Sequence, residues 1–365
     1  MNGQLRNGVV EIGGNARQQF YDARGYGTPA GGNDIRVSRV EAAHLLFRGD
    51  LDVVVDHDRD SQHLGFQDFF VASASAADRF ALRFLVYADL RDRGFYLSPA
   101  REGWPGADGI DQTDLTVYPR GTKPGNGKPA HRIRVVGERE SLPASDIREL
   151  TLAVVDEESE ISYLETGEPD FAGGTTYSPP AGIAGSLLDD RVVVWNAPAG
   201  FYDHGFYGQP LEAREAVVEN AVQLSLVEAA GLAEAGHLQL DDLDADGSTR
   251  EDTSYEAICE RGRAVEGDRF DRRLAVYRDL RSQQVVPKTG YKFGADFRTY
   301  DTVESVDSLP HSERLIRVVD ADHAFDPREL SLDVRLAGGV RKRMVFALTR
   351  ANQQIDWLTV SRLTP

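Results

Sequence analysis

The chain says nearly the same thing twice, which restricts it to folds built from two copies of one unit. In the first half Phe20-Tyr21-Asp22 leads to Tyr26-Gly27, then to the segment SRVEAAHLL from Ser38, then to LVYADLRDRG (Leu85 to Gly94). In the second, Phe201-Tyr202-Asp203 leads to Tyr207-Gly208, then to SLVEAAGLA (Ser225 to Ala233), then to AVYRDLRSQ (Ala275 to Gln283). The paired motifs keep matched spacings, so the chain is a tandem duplication of about 180 residues.

Each copy reads as a small α+β unit followed by a mixed α/β unit, at residues 1–75 and 76–165, then 187–262 and 263–365. Residues 166–186, within ETGEPDFAGGTTYSPPAGIAGS, are rich in Gly, Pro, Ser and Thr and read as a linker. Short β patterns at Val9 to Ile12 and Val192 to Trp195 open the copies. Ser38 with Glu41, and Ser225 with Glu228, have capping-box spacing and mark helix starts. An acidic loop then leads into the VYxDLR helix. In the second copy strands are expected at Val285 to Tyr291, Asp296 to Tyr300 and Arg314 to Val319. A helix is expected from Asp326-Pro327 with Glu329 at its capping-box position, and a closing hairpin over Met344 to Leu363.

The 41 basic and 59 acidic residues leave a net charge of −18, which argues against a generic polyanion-binding surface. Lysine stands only at 123, 128, 288, 292 and 342. An acidic, arginine-rich, lysine-poor chain fits a high-salt cytoplasm, where surface repulsion is screened over about 3 Å at 1 M salt. Cys259 is the single cysteine, which excludes an internal disulfide or a cysteine zinc site. No window approaches a membrane-spanning apolar run and Met1 to Val10 does not read as a signal peptide, so an intracellular, cytoplasmic chain with no membrane partner is expected.

Two acidic clusters invite a metal. Asp242 to Gly247 (DLDADG) starts like a calcium loop, but Thr253 stands where a bidentate Glu is needed. Asp56, His57, Asp58, Asp60 and His63 have ligand residue types in the equivalent loop of the first copy. Both read as solvated acidic loops.

The stretch PKTGYKFGADFRTY (Pro287 to Tyr300) joins two strand patterns through a Gly-rich turn and ends on a tyrosine; His311 follows, and then Arg341-Lys342-Arg343. Singly these read as a strand aromatic, a loop histidine and helix C-terminal charge. Together they supply the base, acid and cation that RNA cleavage by a neighbouring 2′-hydroxyl requires. Histidine, with its ordinary pKa near 6.5, suits the acid role. Tyrosine, ordinarily near 10, needs a nearby cation to serve as base.

KTGYKFGADFRTY, the VYRDLR helix before it, the His311-Ser312 pair after it and the VRKR step resemble the archaeal tRNA-splicing endonucleases (tRNA-intron lyases), and the duplication resembles their two-repeat, homodimeric, haloarchaeal branch. The resemblance covers essentially the whole chain. It implies Tyr300 as general base, His311 as general acid and Lys342 as stabiliser of the transition state, without metal or cofactor. It further implies endoribonuclease cleavage of precursor tRNA at bulge-helix-bulge junctions, leaving 2′,3′-cyclic phosphate and 5′-hydroxyl ends, with no DNA partner. Residues 263–365 would be a restriction-endonuclease-like catalytic unit and residues 76–165 its non-catalytic copy. Arg335 and Arg362 would be RNA-binding residues that sandwich a bulged base.

In the first copy Tyr118 and His131 stand where the tyrosine and histidine are expected, and the lysine helix is shortened. In one register Arg148 replaces the lysine; in another nothing does. The resemblance implies that this copy lends an acidic loop to a partner chain, with Val136 to Asp146 (Glu138, Glu140) the candidate. Two rivals stand beside this reading. One is a metal-dependent, restriction-like DNA nuclease, for which Val340 occupies the needed acidic position and only Asp296 could bind metal. The other is a catalytically inactive RNA-binding subunit.

Overall fold

The computed structural model describes residues 1–57, 61–107, 112–211, 218–241 and 251–365, the last without the side chains of 251–253. Two compact units emerge. One comprises Met1–Gly167 with Ala324–Leu332 and Ser361–Pro365; the other comprises Glu168–His323 with Asp333–Val360.

In the first unit, β1 (Asn2–Arg6), β2 (Val9–Ile12), β3 (Thr28–Gly31), β4 (Asp34–Ser38), β5 (Val53–Asp56) and β6 (Gln62–Leu64) form a 6-stranded sheet in the order β3-β4-β2-β1-β5-β6. With it go α1 (Arg39–Phe47), α2 (Phe66–Ala76) and α3 (Phe80–Asp92). The strands β7 (Tyr96–Pro99), β8 (Leu115–Tyr118), β9 (His131–Gly137), β11 (Thr151–Val155) and β12 (Ile161–Gly167) run side by side in the order β7-β8-β9-β11-β12. The short β10 (Leu142–Pro143) pairs instead with β21 (Ala324–Phe325).

The second unit repeats the plan. A 5-stranded sheet has the order β15-β16-β14-β13-β17, from β13 (Ile183–Leu187), β14 (Arg191–Val194), β15 (Gln209–Pro210), β16 (Val222–Ser225) and β17 (Leu238–Leu240). Its helices are α4 (Leu226–Glu234), α5 (Glu251–Glu266) and α6 (Arg269–Ser282). Then β18 (Val286–Thr289), β19 (Phe297–Tyr300), β20 (Arg314–Asp320), β22 (Arg343–Thr349) and β23 (Ile355–Leu363) run in the order β18-β19-β20-β22-β23, and α7 (Pro327–Gly339) connects β21 to β22. In both copies the third and fourth of these strands are parallel and the other neighbours antiparallel. Duplication in sequence is therefore duplication in fold.

Both capping boxes form. Ser38 Oγ accepts from Glu41 N and Glu41 reaches back to Ser38 N; Ser225 and Glu228 do the same. The glutamates also accept from Gly27 N (2.8 Å) and Gly208 N (3.1 Å), so one carboxylate ties each helix start to the Tyr-Gly turn. Gly27 and Gly208 are irreplaceable there, since an added Cβ would lie 2.2 Å from Arg36 O and 2.4 Å from Gln223 O. The VYRDLR helix α6 buries Phe270, Leu274, Val276, Tyr277 and Leu280 against β18, β20 and β22. Each such side chain contributes roughly 1.5–3 kcal/mol.

The acidic loop expected ahead of each VYxDLR helix is followed by a helix of its own, α2 and α5. Residues 242–250, Asp58 and Asp60 lie outside the described residues. His57 has both ring nitrogens engaged, with the Gln4 and Ser61 side chains. Among the described residues no cluster of His, Cys, Asp or Glu is arranged to hold a metal, and no helix is long and apolar enough to cross a membrane.

Candidate active site

The catalytic candidates sit at one end of three neighbouring strands. Tyr300 closes β19, His311 lies three residues before β20, and Lys342 immediately precedes β22. The register Thr299 to Arg314 to Arg343 aligns those ends. Beyond it, Glu313 N donates to Thr299 O (3.0 Å) and Arg343 N to Glu313 O (3.1 Å). Lys342 Nζ donates to Ser312 O at 2.7 Å and lies 5.6 Å from the Phe293 ring, in the 3-10 turn Tyr291–Phe293. Burial, and then the charge of Arg298, push the Lys342 ammonium below its ordinary pKa.

The end of α7 delivers the lysine. Its start is capped by Asp326 Oδ1, which accepts from Arg328 N (2.9 Å) and Glu329 N (3.2 Å). At its end Arg341 N donates to Gly338 O (3.0 Å) and Lys342 N to Ala337 O (2.9 Å), the two bonds of a Schellman motif. Arg341 takes the left-handed position with φ 58° that glycine usually fills. The chain thus leaves the helix through a fixed turn with Lys342 as its last residue.

Tyr300 pairs with Val286, and Arg298 with Lys288, on one face of the β18–β19 hairpin. Phe206 lies edge-on to Tyr300 at 5.5 Å and Tyr202 edge-on to Phe206 at 5.6 Å. The Arg298 guanidinium carbon is 5.8 Å from the Tyr300 ring centroid. Lys288 Nζ is buried, bonding Glu228 Oε1 (2.7 Å) and Gly208 O (2.9 Å). Burial pushes the Lys288 ammonium down; burial opposes the Glu228 carboxylate, yet Lys288 holds that carboxyl below its ordinary pKa. His311 is exposed on the loop from the turn Val306–Ser308. That loop is braced by Asp203 Oδ1, which accepts from Ser305 Oγ (2.7 Å) and Val306 N (3.1 Å), and by His204 Nδ1 on Glu304 O (2.6 Å).

The first copy keeps the strands but carries different side chains at several of these positions. Tyr118 closes β8 and, like Tyr300, is buried (1 % exposed against 7 %); burial pushes the Tyr118 phenol up. His131 is not the counterpart of His311: it pairs with Val117 as Arg314 pairs with Thr299, so the strand registers equate it with Arg314. Three residues before it stands Lys128, in His311's place. Ile133 pairs with Thr151 as Ile316 pairs with Val345, which puts Arg148 at the position of Lys342. The turn Ala144–Ile147 replaces α7, and an open pocket of about 550 Å³ beside Lys128, His131 and Glu149 remains.

The candidate acidic loop has its charges answered within its own unit. Arg134 lies 3.9 Å from Glu140 and 3.6 Å from Asp146, and Arg139 lies 3.2 Å from Glu138. Arg335 is exposed on α7 in the second unit, and Arg362 is exposed at the end of β23 in the residues grouped with the first. Asp296, the metal candidate of the rival reading, has both oxygens engaged: Oδ1 with Arg269 (2.6 Å) and Arg273 (3.2 Å), Oδ2 with Val318 N (2.9 Å). Asp114 plays the same part in the first copy, accepting from Val135 N at 2.8 Å. Sequence reading passed over Lys288, Arg298, Phe206 and Asp203, although the alternation in VPKT and FRTY was a sign that Lys288 and Arg298 share a face.

A family model described as the catalytic C-terminal domain of tRNA intron endonuclease matches residues 270–357, in the second copy. A model of the N-terminal domain matches twice, at residues 1–70 and 183–253. The tRNA-splicing endonuclease of Haloferax volcanii is 52% identical over 365 residues, covering 100% of both chains. That of Halobacterium salinarum is 55% identical over 369 residues, again 100% of both, and that of Methanosarcina mazei 33% identical over 374 residues, 99% of this chain and 98% of the relative. With matches spanning both copies and relatives aligned end to end, the chain belongs to the tRNA intron endonuclease family.

Proposed function

We propose that this chain is a cytoplasmic endoribonuclease that cuts precursor tRNA at intron boundaries, at bulge-helix-bulge junctions, without a metal ion. The observation that carries the chemistry is the convergence of Tyr300, His311 and Lys342 on aligned strand ends, with Lys342 bonded to the Ser312 carbonyl. Tyr300, as phenolate, takes the 2′-hydroxyl proton; the 2′-oxygen attacks the adjacent phosphorus and the bond to the 5′-oxygen breaks. His311, as imidazolium, protonates the leaving oxygen. Lys342 holds the charge that builds on the phosphorane. The products are a 2′,3′-cyclic phosphate and a 5′-hydroxyl.

Two chains would form a homodimer with one such site in each. Leu332, Leu336 and Val340 recur every four residues and stay 51%, 55% and 42% exposed, which supports a further apolar contact. Arg335, on the same helix, and Arg362 would hold a bulged base, since splayed bases stack where an RNA helix hides its sequence. Cleavage of such an RNA in EDTA tests the reading. Product ends carrying a 5′-phosphate, or loss of activity with EDTA, would contradict it.

A further inference from the structure

We propose that Arg298 is a second phosphate-holding cation of this site, gripping a non-bridging oxygen of the cleaved phosphate alongside Lys342. The proposal rests on the reaction assigned above. Its first support is position: Arg298 stands two residues before Tyr300 on the same face of β19, with its guanidinium carbon 5.8 Å from the Tyr300 ring centroid. It also lines a recess of about 330 Å³ with Phe206, Lys288, Thr289 and Glu228, a recess that Tyr300, His311 and Lys342 do not line.

The second support is charge. Several neighbouring arginines have a carboxylate: Arg269 and Arg273 share Asp296, Arg314 has Asp301, and Arg317 has Asp333. Lys288 in the recess is committed to Glu228. Among the described residues no carboxylate forms an ion pair with Arg298 or Lys342, and Arg298 Nε is buried without a hydrogen-bond partner. Two cations without a carboxylate partner, in a chain of net charge −18, suit an anion that arrives.

The third support comes from the first copy. By strand register Thr116 stands for Arg298 and Ser98 for Lys288, because Ser98 pairs with Thr116 as Lys288 pairs with Arg298. Phe206 is replaced by Gly25: Gly25 N bonds Tyr21 O as Phe206 N bonds Tyr202 O. Phe206 holds a left-handed φ of 50° that suits glycine, a strained choice that places its ring on Tyr300. The scaffold around these positions persists, Asp114 for Asp296, Glu41 for Glu228 and Arg91 for Arg281. What the copies do not share is the set of side chains around the tyrosine.

The test is single-turnover cleavage and binding of a bulge-helix-bulge RNA in molar KCl with EDTA, for wild type, Arg298→Ala, Arg298→Lys and Lys342→Ala. Arg298→Ala is expected to lose on the order of 10²–10³-fold in rate while RNA binding falls less than about tenfold. Arg298→Lys is expected to keep an intermediate rate, and free guanidinium at millimolar concentration to restore part of the alanine variant's activity. Arg298→Ala cutting within about threefold of wild type overturns the proposal while Lys342→Ala still fails, leaving the assigned reaction intact. Equal losses of binding and cutting, with no rescue by guanidinium, assign Arg298 to folding or docking and also overturn it. Wild type unable to cut in EDTA removes the reaction on which the proposal rests.

Discussion

Lys342 Nζ bonds the Ser312 carbonyl oxygen at 2.7 Å, so the lysine is fastened to the residue that follows His311. The acid and the cation of the proposed reaction thereby share one backbone anchor. Replacing Lys342 with Ala should lower the cleavage rate on the order of 10²-fold or more and alter RNA affinity by only a few-fold. Single-turnover rates set against a binding isotherm check this; equal losses in both would remove the lysine from the chemistry.

Arg341 occupies the left-handed position of the Schellman motif that precedes Lys342. Arg341→Gly should relieve that strain and raise stability by up to about 1 kcal/mol, with cleavage unchanged. Thermal melting in molar KCl reads the gain. A fall in melting temperature would show that the Arg341 side chain contributes more than its backbone costs.

The buried Lys288–Glu228 pair separates the two copies chemically. Lys288→Met leaves Glu228 uncompensated and should cost roughly 3–5 kcal/mol. Adding Glu228→Gln should recover part of that loss, since it removes the uncompensated buried charge, though its one carbonyl oxygen can accept from only one of Ser225 N and Gly208 N. Denaturant titration of wild type, Lys288→Met, Glu228→Gln and the double variant forms the cycle, and additive losses would deny the coupling. In the first copy Glu41 meets burial without a lysine, and burial pushes its carboxyl up.

His44 bonds the Tyr26 hydroxyl at 2.9 Å, and burial lowers its pKa to about 4. The unfolded chain binds this proton below about pH 6.5 and the folded chain only near 4. Stability from this group is therefore complete above 6.5 and lost as pH falls toward 4, on the order of 3 kcal/mol in all. In His44→Gln the acid limb of the stability profile should be flatter over that window. Parallel profiles for the two proteins would refute the assignment.

The duplication, the capping boxes and the strand-turn-strand of PKTGYKFGADFRTY were legible because they rest on local spacing. The helices α2 and α5 were not: in α2 only Phe69 and Ser73 are buried, and α5 is so rich in charge that it reads as loop. His131 was matched to His311 by residue type, but a longer loop follows Tyr118, and only strand pairing shows that it stands for Arg314. The roles of Arg298 and Phe206 depend on residues brought together across strands and from distant turns, which no single stretch displays.

The most direct measurement is cleavage of a bulge-helix-bulge RNA in multimolar KCl with EDTA by wild type, His311→Ala and His131→Ala. The account predicts that wild type cuts, His311→Ala does not, and His131→Ala, altered only in the first copy, still does. Cutting abolished by EDTA, or by His131→Ala but not His311→Ala, would contradict it.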